Sequence, residues 1–273
     1  MGTTDQRKLY AFAIASVFAF VALGLSAVQR TAAKVSQNGF KAYGSSAKLA
    51  HQLKPFTSID AGGVFEVYVK FGSEPSIEFE APKDILPHLT SDVRNGTLVL
   101  SVDTDSLTIH DGKIKAYVVA THLKGVTLSG ASTMVINGKV LEPSFEAHTS
   151  GASNLTFSAT VQNLTLEAEG SAKVSIGALT AKKVALDASG AANCTITGTV
   201  DTCSIEASGS SSIGGPSFSI NKVTIQTSGA SSADFHVVTA LNAEASGASN
   251  IRYTGNPQLT RSTSGAANIE KGG

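Results

Sequence analysis

The sequence predicts an all-β protein, a parallel β-helix or β-solenoid of about eight coils of about 20 residues each, preceded by an N-terminal membrane segment. The first observation behind this fold is a signature of Ser, Gly and Ala that returns eight times between positions 129 and 267. A fixed period of this size is typical of solenoids, in which each repeat is one coil stacked on the last. The signature glycines, 18 to 21 residues apart, are Gly130, Gly151, Gly170, Gly190, Gly209, Gly229, Gly247 and Gly265.

The second observation is that apolar residues alternate with polar ones on both sides of each glycine. Before Gly170 stand Leu164 and Leu166, and after it stand Val174 and Ile176. Apolar side chains two positions apart indicate a strand with one buried face. Each coil should therefore carry at least two short strands that point into one core. Equivalent residues of neighbouring coils should then lie about 4.8 Å apart in columns.

The composition supports β-structure and limits the classes of function. The chain has 273 residues, 26 glycines, 7 prolines and no tryptophan, which suits strands joined by tight small-residue corners. Its zero net charge hides an uneven distribution, because residues 60–273 hold 14 Lys and Arg against 20 Asp and Glu. An acidic body is a poor surface for phosphate groups, so we expect no nucleic acid partner.

The N-terminal part is predicted to connect the solenoid with a membrane. Residues 1–8 form a short cytoplasmic head, and residues 9–29 carry no charge and are long enough to span a bilayer. This segment is either a signal peptide, cleaved near Thr31-Ala32-Ala33, or an uncleaved transmembrane anchor. Residues 30–54 form a basic linker, in which residues 47–54 could make one short turn of amphipathic helix. The expected location is the periplasm or the cell surface, with the protein membrane-anchored or secreted.

The rest of the chain divides into a strand block and the repeats. Residues 55–125 lack the signature but contain strand patterns, one of which, at 97–102, follows the hairpin turn signal Asn95-Gly96. A parallel stack needs a cover for its first edge, so we expect this block to begin the solenoid and to cap it. Residues 126–273 form the repeat solenoid.

These segments together resemble a known family, the putative auto-transporter adhesin head domain, also called the head GIN domain. The resemblance extends from about Phe56 to Asn268. It implies a β-helix-like fold on the outer side of a bacterial inner membrane, or beyond it, no catalytic residues, and a binding role. The segments that carry it are Gly63-Val-Phe-Glu-Val-Tyr-Val69, Asn95-Gly-Thr-Leu-Val-Leu-Ser-Val102, Ile114-Lys-Ala-Tyr-Val-Val119 and the Ser-Gly-Ala-Ser copies.

One column of side chains is a candidate ligand-facing site. Three residues before the glycine, several repeats carry a carboxylate that is predicted to point outward. Such a column could bind a cation such as Ca²⁺ or steer a charged ligand, or it could be a solvated face that keeps the rod soluble. The partners we consider are a cell-surface glycan and an envelope protein. The acidic positions are Glu167, Asp187, Glu206 and Glu244.

Three functions stay open at this point. The first is a non-enzymatic, adhesin-like binding module of the cell envelope, and the second is a structural or assembly module without a ligand, of undetermined oligomeric state. The third is a carbohydrate-active β-helix enzyme, in which stacked carboxylates such as Glu167 and Asp187 would form an acid–base pair. Against the third, no long insertion interrupts the repeats to wall a groove. The six histidines share no spacing typical of metal ligands, so no metal or cofactor is assigned.

The two cysteines, Cys194 and Cys203, occupy inward positions of one coil. They are either two small core side chains or, in an oxidising compartment, a disulfide if their strands approach closely enough.

Overall fold

The computed structural model describes residues 46–103 and 114–272, which form one sheet of 17 strands wound around a single core. The fold is all-β, as predicted, and the 3₁₀ turn Leu86–His88 is the only helical element of these residues. The strands are β1 Ser46–Gln52, β2 Ser58–Ala61, β3 Phe65–Phe71, β4 Ser76–Pro82, β5 Leu89–Arg94, β6 Thr97–Val102, β7 Ile114–Ala120, β8 Gly125–Leu128, β9 Thr133–Thr149, β10 Asn154–Ala168, β11 Lys173–Ala188, β12 Asn193–Ala207, β13 Ser212–Thr227, β14 Ser232–Ala245, β15 Asn250–Gly255, β16 Gln258–Thr263 and β17 Asn268–Lys271.

Six long strands, β9 to β14, form the regular part of the solenoid, and each pairs in parallel with the next. In β10 the pairing with β11 is interrupted after Phe157 and again at Gln162, because each long strand bends around the core instead of lying flat. The inward side chains of β10 are fully buried, and the ring of Phe157 packs 5.2 Å from that of Phe145 on the coil before. The alternating pattern in the sequence is therefore the core pattern of the fold.

The number of coils is smaller than predicted. The eight signature glycines bound about seven turns, the first beginning at Gly130 and the last ending at Gly265. After Gly265 the described chain forms only β17, which is four residues long. The repeats form about seven turns where about eight coils were expected, because the last copy of the signature opens a coil that the chain does not complete within the described residues.

The signature glycines form the corner at which neighbouring coils approach most closely. Gly209 has φ of +72°, and a Cβ there would lie 2.5 Å from the carbonyl oxygen of Gly190 on the coil before. That carbonyl accepts a hydrogen bond from the Ser210 N–H at 2.6 Å, so the absence of a side chain lets the backbones bond directly. The column continues to Gly63, whose carbonyl accepts from Ala131 at 2.7 Å. A glycine outside the repeats therefore belongs to the same corner.

The N-terminal strands are stacked in an order that differs from their order in the sequence. Strands β2 and β3 pair in parallel with β6 and β7 on one side and with β8 and β9 on the other. The first coil of the chain thus lies between two later ones. Strands β1 and β4 on one face, and β5 on another, run antiparallel to their neighbours at the outer end of this stack.

The start of the described chain differs from the prediction. Residues 46–52, part of the predicted basic linker, form strand β1, which pairs with β4 in a register that places Leu49 opposite Phe79. The expected turn of helix at 47–54 is wrong, because the free edge of β4 offers a full ladder of backbone hydrogen bonds to this segment.

The predicted cytoplasmic head, 1–8, and membrane segment, 9–29, lie outside the described residues. In the part of the chain that the structure describes, no helix combines the length and apolarity needed to cross a membrane. The signal peptide and the anchor both stay predictions.

Candidate binding surface

The four predicted acidic residues stand in one outward column. The strand register pairs Glu167 with Asp187 and Asp187 with Glu206, and it places Glu244 two coils further along, beyond Gln226. Each acidic residue is exposed, while its two neighbours along the strand are buried, because strand side chains alternate between core and solvent. The column is therefore a continuous row of polar side chains on the outside of the solenoid.

At each end of the column, a carboxylate accepts a hydrogen bond from a neighbouring side chain. At one end, Nδ1 of His148 and Oε2 of Glu167 are 2.8 Å apart. At the other, Nε2 of Gln226 donates to Oε2 of Glu244 at 3.5 Å. The two central carboxylates are direct neighbours on adjacent coils, at a strand spacing of about 4.8 Å. Because like charges at this distance repel, the centre of the column favours a cationic or hydrogen-bond-donating ligand.

A shallow groove of about 360 Å³ follows the centre of the column. It is lined by Asp187, Glu206 and Glu244, whereas Glu167 lies one coil beyond it. Its other side is a row of signature serines that includes Ser208, so carboxylates and hydroxyls are brought together. Sequence reasoning did not assign the serines to the site, although each one directly precedes a signature glycine. Among the described residues, no group of three His, Cys, Asp or Glu side chains is arranged to hold a metal ion.

A second concave surface lies at the N-terminal end of the solenoid. It is a trough of about 810 Å³ on the outer face of five strands, β1, β4, β7, β3 and β9. Its lining includes Tyr68 and Tyr117, whose rings stack with centroids 5.4 Å apart and planes inclined by 19°. Beside them, Nζ of Lys48 is 2.7 Å from Oε1 of Glu78 and 5.7 Å from the centre of the Tyr117 ring.

A hydrogen bond and nearby charges hold Tyr117 of the aromatic pair in place. The hydroxyl of Tyr117 donates to Oε2 of Glu80 at 3.2 Å, and Nζ of Lys115 is 3.6 Å from the other oxygen of that carboxylate. Desolvation, followed by the charge of Glu80, raises the pKa of Tyr117 above its usual value, so the phenol stays protonated. The Tyr117 ring is thereby fixed in a neutral, donor-bearing form.

Sequence reasoning missed this trough, although a signal for it was present. Two strands carry the similar segments Glu66-Val-Tyr68 and Lys115-Ala-Tyr117, each with its tyrosine at an outward position. The structure pairs the two segments in register, tyrosine against tyrosine and glutamate against lysine. Only the stacking order of the coils, which the sequence does not reveal, makes these strands neighbours.

The sequence comparison decides the family. Residues 55–257 match the family described as "putative auto-transporter adhesin, head GIN domain", and this range is well over half of the chain. The chain belongs to this family. None of the curated proteins matches the sequence.

Solved structures share the fold of this head GIN domain. A putative adhesin from Parabacteroides merdae superposes with a TM-score of 0.80 at 18% identity, over 86% of this chain and 100% of that one. A putative adhesin from Parabacteroides distasonis gives 0.81 at 19% identity with the same coverages. A protein from that organism described as a putative lipid binding protein gives 0.80 at 17% identity, again over 86% and 100%. At such identities the likeness establishes the fold alone.

The cysteines of this head GIN domain belong to its core. Cys194 and Cys203 are both buried, and both thiols are free. Desolvation by burial raises the pKa of each thiol to about 12, so neither is ionised at neutral pH. The interpretation as two small core side chains is the one that the structure supports.

Proposed function

We propose that this head GIN domain is a non-enzymatic, adhesin-like binding module displayed at the bacterial cell envelope. The observation that carries the proposal is the outer surface of the solenoid, where the register sets polar side chains in straight rows one coil apart. A rigid surface of this kind offers many equivalent contacts to an extended ligand. The family match supports the binding role.

The shape of the repeats supports binding over catalysis. The long strands β9 to β14 are joined by turns of only four residues, such as 150–153 and 169–172. Such turns leave no loop that could form the walls of a substrate cleft around an acid–base pair of carboxylates. The carboxylates of the column accordingly stand on an open face, and we assign them to ligand contact.

The acidic column is the proposed ligand-facing surface, with Asp187 and Glu206 at its centre. Carboxylates that accept hydrogen bonds, next to serine hydroxyls that donate and accept, suit a glycan or a basic segment of an envelope protein. The domain is proposed to act at the periplasmic or outer face of the cell, held at the membrane through residues 9–29 or released after cleavage. The acidic body is unsuited to nucleic acid.

The test is a glycan-array and whole-cell binding screen of the full chain, with and without Ca²⁺. The informative variant is the double substitution Asp187→Asn and Glu206→Gln. Its matched control is Asp234→Asn with Glu270→Gln, which removes the same charge from an outward row on a different face. We expect saturable binding that the first variant weakens at least about tenfold and the control leaves unchanged.

Three results would contradict the proposal. Binding that both variants weaken equally would indicate a general charge effect and not a surface. The lack of any saturable binding by the folded protein would leave a structural module as the better account. Shortened glycan products after incubation would establish an enzyme.

A further inference from the structure

The trough at the N-terminal end of the solenoid is separate from the acidic column. The register places a row of outward side chains across the trough: Glu78 on β4, Tyr117 on β7, Tyr68 on β3 and Val135 on β9. The same row continues along the solenoid through Thr156, where aromatic residues give way to small polar ones. The aromatic surface is thus confined to the trough.

The trough combines an aromatic floor with a polar rim. Tyr68 and Tyr117 are half-buried, and Val119 lies beside them on the same outward face. Along the rim lie the side-chain amides of Gln52 and Asn137, with the hydroxyl of Ser76 and the ammonium of Lys70 nearby. The floor is therefore apolar, and the groups around it can both donate and accept hydrogen bonds.

The charge of the trough limits the ligand class. The ammonium of Lys48 is paired with Glu78 at 2.7 Å, so much of its charge is compensated. Within the described residues Lys70 forms no ion pair of its own, and it is the one lysine of the lining without a carboxylate partner. A single available ammonium is too little to hold a polyanion, whereas it suits a hydroxyl or one carboxylate.

The shape of the trough limits the ligand further. Its floor is built on the outside of a sheet and stays half-exposed, so it cannot enclose a fatty acyl chain as an apolar cavity would. A flat ligand that is apolar on its face and polar around its edge matches the lining. A pyranose ring has this construction, because its axial C–H bonds form an apolar face and its hydroxyls lie at the rim. The partly positive C–H hydrogens are attracted to the negative face of an aromatic ring.

We propose that the trough is a saccharide-binding site, in which a pyranose unit of a glycan chain packs against the Tyr68–Tyr117 pair. Asn137 and Gln52 bind the hydroxyls of that unit, and the Lys48–Glu78 ion pair supplies one donor and one acceptor at the opposite wall. This site stands independently of the acidic column, and it would exist even if the column proved to be only a solvated face.

The experiment is isothermal titration of the full chain with hexasaccharides of glucose, mannose, N-acetylglucosamine and galacturonate. Tyrosine fluorescence gives a second readout, because the chain has no tryptophan and two of its five tyrosines form the floor. We expect at least one hexasaccharide to bind and to change the tyrosine emission. Tyr68→Ala should raise its Kd at least about tenfold, while Tyr68→Phe, which keeps the ring, should stay within about threefold.

Matched variants separate this site from the rest of the outer surface and from misfolding. Thr156→Ala, in the same outward row beyond the trough, and Glu270→Gln, an exposed carboxylate at the far end of the solenoid, should leave the Kd unchanged. If Tyr68→Ala fails to fold by circular dichroism, Asn137→Ala carries the test, because Asn137 is exposed and its loss should still weaken binding at least about threefold.

Three outcomes would overturn the proposal. One is the absence of binding by all four hexasaccharides at millimolar concentration. Another is undiminished binding by a folded Tyr68→Ala protein. The third is Tyr68-dependent binding to phosphatidylglycerol vesicles that no hexasaccharide competes away, which would assign the trough to a lipid surface.

Discussion

The guanidinium of Arg261 donates a hydrogen bond to the backbone carbonyl of Ile269, with Nη1 and the oxygen 3.1 Å apart. Arg261 is in register with Ala243, which is buried in the core of the preceding coil. The last turn thus has a charged side chain at a position where earlier turns carry Leu166 or Ile225. Inward-pointing charges of this kind prevent an open sheet end from adding another strand.

Replacing Arg261 by an apolar residue should cause the protein to self-associate through this end of the solenoid. We expect Arg261→Leu to associate through the free edges of β16 and β17, because it adds an apolar side chain beside Leu259, which is already 37% exposed. Multi-angle light scattering after gel filtration would detect a concentration-dependent rise in mass relative to the unsubstituted protein.

The control for this prediction is Arg252→Leu. Arg252 lies on the same end coils and is exposed, but it points outward, in register between Asp234 and Glu270. The Arg252→Leu substitution removes the same charge but leaves the exposed end of the core unchanged. The mass of this variant should therefore match that of the unsubstituted protein. Equal masses for the two leucine variants would show that Arg261 does not prevent association at this end of the solenoid.

The glycine corner should tolerate no side chain. Gly209→Ala would place a Cβ at φ of +72°, 2.5 Å from the carbonyl oxygen of Gly190. The backbone conformation alone costs about 1–3 kcal/mol, and the contact with a backbone atom adds to it, so we expect a large fall in the free energy of unfolding. Urea denaturation followed by circular dichroism would measure it.

Gly177→Ala is the matched control, because Gly177 is not in the left-handed region and a Cβ there would meet only the Ser158 hydroxyl at 3.3 Å. It should change stability by no more than about 0.5 kcal/mol. Similar losses for the two alanine variants would contradict the role assigned to the corner.

Two buried serines in one column should differ in how their substitution by alanine changes the free energy of unfolding. The hydroxyl of Ser231 donates to the carbonyls of Ser228 at 2.9 Å and Ala207 at 3.2 Å, so Ser231→Ala should cost about 0.5–1.5 kcal/mol. The hydroxyl of Ser153 is buried with no hydrogen-bond partner among the described residues, and the equivalent residue one coil on is Ala172. Ser153→Ala should therefore leave stability unchanged or raise it by up to about 1 kcal/mol.

Thermal and urea unfolding of the two variants under one set of conditions checks this pair. A loss of stability on Ser153→Ala as large as that on Ser231→Ala would mean that both hydroxyls are equally well satisfied.

The repeat part of the fold was predictable because its signal is redundant. The same alternation around a glycine appears in every coil, so Leu166, Leu186 and Ile205 identify one buried column without knowledge of the pairing. The acidic column followed from the same alignment, since Glu167 and Asp187 occupy equivalent positions. Where one period determines both which strands pair and which side chains are buried, the sequence is sufficient to predict the fold.

The N-terminal trough was missed because its one sequence signal, the similar segments Glu66-Val-Tyr68 and Lys115-Ala-Tyr117, belongs to no repeating period that would show the two strands to be neighbours. Tyr68 and Tyr117 are 49 positions apart in the sequence. They are neighbours only because β3 pairs with β7. Strand β1 was missed for the same reason, because its partner β4 lies well along the chain and the two segments share no repeating pattern. Non-local pairing decided by tertiary packing leaves no local pattern to read.

The buried thiols should be unreactive until the protein unfolds. Burial raises the pKa of Cys194 and Cys203 to about 12, from an ordinary value of 9. At pH 8 the folded protein should therefore not react with Ellman's reagent over an hour, whereas both thiols should react in guanidinium. Ser208→Cys, at a corner that lines the acidic groove, is the control and should supply one fast thiol in the folded state.

The same shift predicts a loss of stability in alkali. Between pH 9 and 12 the unfolded chain releases the thiol protons while the folded chain retains them, so the unfolded state binds fewer protons and the free energy of unfolding falls as pH rises. The loss is on the order of 1 kcal/mol per pH unit for each thiol. Replacing both cysteines by alanine should flatten this part of the stability curve, measured by urea unfolding from pH 8 to 10.5. An unchanged slope, or fast reaction of the folded thiols at pH 8, would show that the cysteines are not sealed in the core.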